Sequence, residues 1–129
     1  MVIDTSALLA ILFDEAERDS FIAQISASPI RVVSAAAIVE ASIVFHRRLR
    51  RPGTSEIDAL VARLDQKIWP IDLDQLKWAR YAVEAYGRGR HSARLNFGDY
   101  FSYALARVSG EPLLFKGDDF SKTDIASAL

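Results

Sequence analysis

Five acidic residues, Asp4, Glu40, Asp99, Asp118 and Asp119, stand where the sequence around them has chemical reason to be read closely. Asp4 directly follows the apolar pair Val2-Ile3 and precedes Thr5 and Ser6, whose hydroxyls can accept backbone N–H bonds where a strand turns into a helix. An ionised carboxylate at the end of a buried strand is costly unless paired, and strand ends are where open α/β sheets build their sites. Asp4 equally suits a helix start, where a carboxylate meets the dipole, so this stretch alone leaves site and cap open. Glu40 interrupts Ile38, Val39, Ala41 and Ile43, and it either points to solvent or faces a buried cation. Asp99 follows Asn96 at capping-box spacing, which gives it a structural reading as well. Asp118 and Asp119 lie just beyond the apolar run Leu113-Leu114-Phe115.

The elements that must position these acids follow from periodicity. Val2-Ile3 reads as a short buried strand, followed by a helix through the apolar run Ala7 to Phe13. Phe21, Ile22 and Ile25 give a surface helix within Asp14 to Ser28. Ile30 to Val33 suits a second strand, and Ser34 caps a long helix over Ala35 to Arg51 that Pro52-Gly53 ends. Ile57, Leu60, Val61 and Leu64 mark a helix within Ser55 to Gln66. Ile68 to Ile71 reads as an edge strand because of Pro70, and Asp72 caps a helix over Leu73 to Tyr86 that Gly87 stops. A basic loop, a helix over Tyr100 to Val108, the Leu113 to Phe115 strand and a last short strand at Thr123 to Ile125 complete the chain.

Composition sets the limits. With 129 residues, half of them apolar, a single domain with a real core is expected. The 16 basic and 17 acidic residues leave a net charge of -1, so any nucleic-acid contact must come from a local patch. The absence of cysteine removes thiolate chemistry and fits a cytoplasmic location. Met1 to Phe13 is too short to span a bilayer and carries Asp4, so no membrane association is expected.

Alternating strands and helices imply parallel βαβ units, whose strand ends and following helix starts share one sheet edge. The acids all fall just after a strand or early in a helix. Carboxylates from four segments meeting at one edge are tolerable if a hard cation sits among them, and Mg²⁺ or Mn²⁺ suits an all-oxygen donor set.

The opening Met1-Val-Ile-Asp-Thr-Ser, Glu40 within its apolar helix, Asn96-Phe-Gly-Asp99 and the closing Leu113-Leu-Phe-Lys-Gly-Asp-Asp-Phe together resemble the PIN domain, and within it the VapC toxins. The resemblance covers essentially the whole chain. It implies a three-layer α/β/α fold with a mainly parallel sheet, and an Mg²⁺-dependent endoribonuclease, Mn²⁺ being able to substitute. It further implies a VapB-like antitoxin partner, a homodimer and RNA as substrate. Asp4, Glu40 and Asp99 carry over as metal-binding catalytic acids. Asp118 is taken as the fourth ligand, with adjacent Asp119 also in the catalytic set and the spacing leaving open which of the two points inward. Thr5 and Ser6 carry over as hydroxyls supporting the acids or a substrate phosphate.

Two arginine clusters offer backbone-phosphate contacts: Arg47, Arg48, Arg50 and Arg51 at a helix end, and Arg88, Arg90 and Arg94 in the basic loop. Neither His46 nor His91 lies in an acid-bearing stretch, which disfavours a histidine-pair ribonuclease. Three other readings compete. An aspartyl phosphatase would want an acid where Ser6 stands, and a phospho-receiver module would want an Asp at the end of the second strand. A PIN-like nuclease of RNA maturation, with no toxin role, fits the same residues.

Overall fold

A computed structural model describes residues 1–129. Four short strands, β1 (Val2–Ile3), β2 (Val32–Ser34), β3 (Lys67–Trp69) and β4 (Leu113–Leu114), form one sheet in the order β3-β2-β1-β4. Every pairing is parallel, with Val2 opposite both Val32 and Leu113, and Ile3 opposite Leu114. Six helices connect and cover them: α1 (Thr5–Leu12), α2 (Arg18–Ala27), α3 (Ala35–Leu49), α4 (Thr54–Arg63), α5 (Leu73–Tyr86) and α6 (Phe97–Ser109).

Strand side chains alternate between faces, and that alternation builds the layers. Ile3, Val33 and Leu114 enter a core with Leu8 and Ile11 of α1, Phe21 and Ile25 of α2, Ala37 of α3 and Leu60 of α4. Val2, Val32 and Leu113 point the other way, into a core with Ala82 of α5 and Tyr103, Leu105 and Ala106 of α6. The result is the three-layer α/β/α arrangement, with α1 to α4 on one face and α5 and α6 on the other. All strands being parallel, their carboxyl ends lie on one edge, where Asp4, Ser34 and Phe115 begin the connections.

The caps follow the sequence. Ser34 accepts from the Ala36 N–H at 3.2 Å and Asp72 from the Gln75 N–H at 2.9 Å. The second helix begins at Arg18 rather than Asp14, because Asp14 takes a left-handed φ of 56° that ends the preceding turn. α6 begins at Phe97, a turn earlier than expected, because its capping box closes on Asn96. The strand expected over Thr123 to Ile125 does not form. Thr123 Oγ1 donates to the Phe120 carbonyl at 2.7 Å and accepts from the Ile125 N–H at 3.3 Å, and these local bonds compete with a sheet ladder. Asp124 is used instead as an anchor, accepting from the Tyr103 hydroxyl at 2.8 Å and from Arg107 at 3.1 Å. No helix is long and apolar enough to cross a membrane.

Leu114 is fully buried where β4 meets the α1 to α4 layer, so truncation there leaves a cavity the short strands cannot collapse around. Leu114→Ala should destabilise by about 2 to 5 kcal/mol in a urea titration. A loss below about 1 kcal/mol would contradict this packing.

Candidate metal-binding acid cleft

At the carboxyl edge of the sheet, Asp4, Glu40, Asp99 and Asp119 line one cleft of about 180 Å³, together with Thr5, Ser6, Asn96 and Lys116. The junction of β1 with α1, the helices α3 and α6, and the segment after β4 each contribute one acid.

Asp4 is only 3% exposed and is both cap and cleft residue, so the two readings of this position coexist. Its Oδ2 accepts from the Ser6 N–H at 2.9 Å and the Ser6 hydroxyl at 2.6 Å. Its Oδ1 is buried with no hydrogen-bond partner. A buried carboxylate oxygen without a donor is costly, and neither Asn96 nor Lys116, the cleft residues with side-chain N–H groups, bonds to it. Ser6 is a relay as well, since its hydroxyl accepts from the Lys116 N–H at 2.9 Å and ties the end of β4 to Asp4.

Glu40 does not face solvent alone. It is half-buried on α3, and its pKa is raised by desolvation, with the Thr5 hydroxyl offsetting part of the rise and the Asp4 charge adding to it. The first turn of α6 makes room for it at Gly98, where a Cβ would fall 2.0 Å from Glu40 Oε2. That role of Gly98 is one the sequence reading missed; a glycine inside a helix's first turn was the available signal.

Asp99 closes a reciprocal capping box, accepting from the Asn96 N–H at 2.8 Å while the Asn96 side chain accepts from the Asp99 N–H at 3.2 Å. Its pKa is nevertheless pushed up to about 7. Burial is the largest cause, the Asn96 bond opposes it, and the charges of Asp4, Asp119 and Glu40 add to it. No cation acts on Asp99 to relieve them.

Asp119, not Asp118, is the acid of the closing pair that lines the cleft. Asp118 stays exposed outside it, and its carbonyl accepts from the Ser121 N–H at 3.2 Å. Asp118, expected as the fourth ligand, is thus not among the residues that line the cleft, and Asp119, expected in the catalytic set, is. Thr5 is buried beside Glu40, and its hydroxyl also lies 3.5 Å from the Ala37 carbonyl. Lys116 was not foreseen either, although it falls just beyond β4 by the same strand-end rule that singled out the acids.

The donors are oxygens throughout, the charge is uncompensated and one buried oxygen is orphaned, all of which fit a hard divalent cation. No three acids stand close enough to enclose one ion. Mg²⁺ does not require that, since it keeps several waters and takes one or two carboxylates with substrate phosphates.

The arginine clusters divide. Arg48 pairs with Glu15 at 3.3 Å and stacks over Phe13 at 4.0 Å, while Arg51 pairs with Glu56 and lies over Phe45. Arg47, Arg50, Arg88, Arg90 and Arg94 are exposed and free of ion pairs. His91 serves the loop, its Nδ1 accepting from the Ala93 N–H at 3.1 Å.

The raised pKa of Asp99 has a defined consequence for stability. The folded carboxyl keeps its proton up to about pH 7, the unfolded one only to about pH 4, so folded protein holds more protons between them. Stability of the metal-free protein should therefore fall as pH rises through that window. Asp99→Asn can still accept the Asn96 N–H but cannot ionise, so the fall should shrink, leaving the part due to Glu40. Urea titrations in chelator at pH 5 and pH 8 measure it, and equal falls in parent and variant would contradict the assignment.

The family model described as PIN domain matches residues 1–126. Ribonuclease VapC30 of Mycobacterium tuberculosis is 48% identical over 127 residues, covering 98% of this chain and 97% of that protein. Ribonuclease VapC of Mycolicibacterium smegmatis is also 48% identical, covering 98% of each. Among solved structures, Mycobacterium tuberculosis VapC20, described as a sarcin-ricin loop cleaving toxin, superposes with a TM-score of 0.75 at 19% identity, over 97% of this chain and 95% of that one. A toxin-antitoxin complex from Klebsiella pneumoniae gives a TM-score of 0.71 at 15% identity, over 99% and 97%. The solved structures match the fold, the curated relatives match nearly the full sequence, and with them this chain belongs to the VapC ribonucleases of the PIN domain family.

Proposed function

We propose that this chain is an Mg²⁺-dependent endoribonuclease, the toxin of a VapBC module, working in the cytoplasm with Mn²⁺ as a substitute ion. The observation that carries the reading is the cleft itself, where acids from four segments line one space and a buried oxygen of one of them, Asp4 Oδ1, has no hydrogen-bond partner. Asp4, Glu40, Asp99 and Asp119 would hold the ion, which when bound supplies an activated water and offsets charge on a phosphodiester. Ser6 fixes the direction of the Asp4 carboxylate through Oδ2, leaving Oδ1 without a partner. The capping box orients Asp99 in the same way. The pKa of Asp99, pushed up to about 7, leaves that carboxyl partly protonated near neutral pH in the absence of a cation, so binding one there releases protons.

The free arginines suit the phosphates of an RNA strand, and Arg47 borders the cleft through a neighbouring groove that shares Glu40 and Asn96. A VapB-like antitoxin is the protein partner by family likeness. A second copy of the chain would cover apolar side chains that α5 leaves in water, Leu73 at 82% exposure and Leu76 at 45%.

Incubation with a cellular RNA pool should yield discrete cut ends with Mg²⁺ and none in excess chelator; undiminished cutting in chelator would overturn the proposal. Asp119→Asn should slow cleavage at least about tenfold, equivalent to ~1.4 kcal/mol, whereas Asp118→Asn should retain near-parent rates. The reverse order would return the fourth ligand to Asp118. Replacing Arg88, Arg90 and Arg94 with Ala should weaken RNA binding and flatten its salt slope by about 0.7 for each phosphate no longer neutralised. Arg48→Ala with Arg51→Ala should leave the slope unchanged, since both guanidinium groups are already engaged within the protein.

A further inference from the structure

Lys116 is the one cation that lines the acid cleft, yet it does not serve the acids. Its backbone N–H is fixed by the Ser6 hydroxyl at 2.9 Å, and that hydroxyl donates to Asp4 Oδ2 at 2.6 Å, so the lysine is rooted beside the Asp4 carboxylate. Its ammonium nevertheless lies 2.8 Å from Glu15 Oε2 and 2.9 Å from Glu17 Oε2, in the turn between α1 and α2. Glu15 is braced from behind by Arg48, 3.3 Å away and itself stacked over Phe13 at 4.0 Å. The charges acting on Asp99 and Glu40 are all negative, although a flexible ammonium is attached at the cleft wall.

Left free, a lysine on that stem would be drawn to the acids, where an ammonium favours the charged carboxylates and occupies the place of a divalent ion. Being tethered, it would compete at high effective concentration whatever the solution holds. We propose that Glu15 and Glu17 are positioning residues that hold Lys116 away from the acid cleft and so keep the cleft open to a divalent cation. The inference rests on the metal-binding reading of the cleft, and the two can fail separately.

The test is the Mg²⁺ concentration giving half of the maximal rise in melting temperature, measured on the full chain without RNA. Glu15→Gln with Glu17→Gln should raise that midpoint at least about threefold, because the released ammonium competes for the carboxylates. Adding Lys116→Met to that pair should bring the midpoint back to the parent value, and Lys116→Met alone should leave it at or below the parent value. Asp14→Asn with Asp19→Asn makes the same change of charge nearby without touching Lys116 and should leave the midpoint where it was. A parent-like midpoint in the Glu15/Glu17 variant, or a triple variant as weak as the double, would overturn the proposal while the metal site stands. No Mg²⁺-induced rise in the parent would overturn both.

Discussion

Asp99 cannot comfortably carry its charge where the fold puts it, and much of the structure can be understood from that. Burial and three neighbouring carboxylates work against ionisation, and only the Asn96 N–H works for it. Such crowding is not an accident of side-chain placement. Parallel strands deliver their carboxyl ends to one edge, helix starts gather there, and acids placed at those junctions have nowhere else to go. What distinguishes a functional cleft from a poorly made core is that the same surroundings hold each acid in one direction: Ser6 for Asp4, the Asn96 box for Asp99, the missing Cβ of Gly98 for Glu40.

The cations show how balance is kept elsewhere while the cleft is left alone. Arg48, Arg51, Arg107 and Lys116 each have an acidic partner, and three of the partnerships are reinforced by an aromatic ring beneath a guanidinium. A chain with almost equal numbers of acids and bases thus gathers Asp4, Glu40, Asp99 and Asp119, none of them ion-paired, in one cleft and leaves unpaired arginines on exposed surfaces. Net charge alone conceals that separation.

Periodicity and caps made the fold legible, because buried strands and amphipathic helices leave their period in the chain. Glu40 stood out for the complementary reason, being polar within an apolar run, whereas Asp4 and Asp99 stood out by their places at a strand end and a helix start. Three things were not legible. Asp118 and Asp119 are chemically identical neighbours on an irregular segment, and only the turn into Phe120, buried against Phe115, decides which faces inward. Arg48 and Arg51 read as part of a phosphate-binding run, and their pairing with Glu15 and Glu56, the first of them distant in sequence, is visible only in the fold. Thr123 to Ile125 has the composition of a strand, but side-chain bonds to its own backbone take it out of the sheet.

The strands that frame this site are two or three residues long, which bears on how such a protein can drift over evolutionary time. β1 gives Val2 to one layer and Ile3 to the other, then ends at Asp4. An insertion or deletion there would exchange the two layers' side chains and carry the carboxylate away with them. Core and chemistry are thus encoded in the same few positions and must be inherited together. Novelty is left to exposed positions around them, such as Arg88 and Arg90 in the loop before α6 and Arg50 just past α3, where sequence can wander without disturbing the sheet edge.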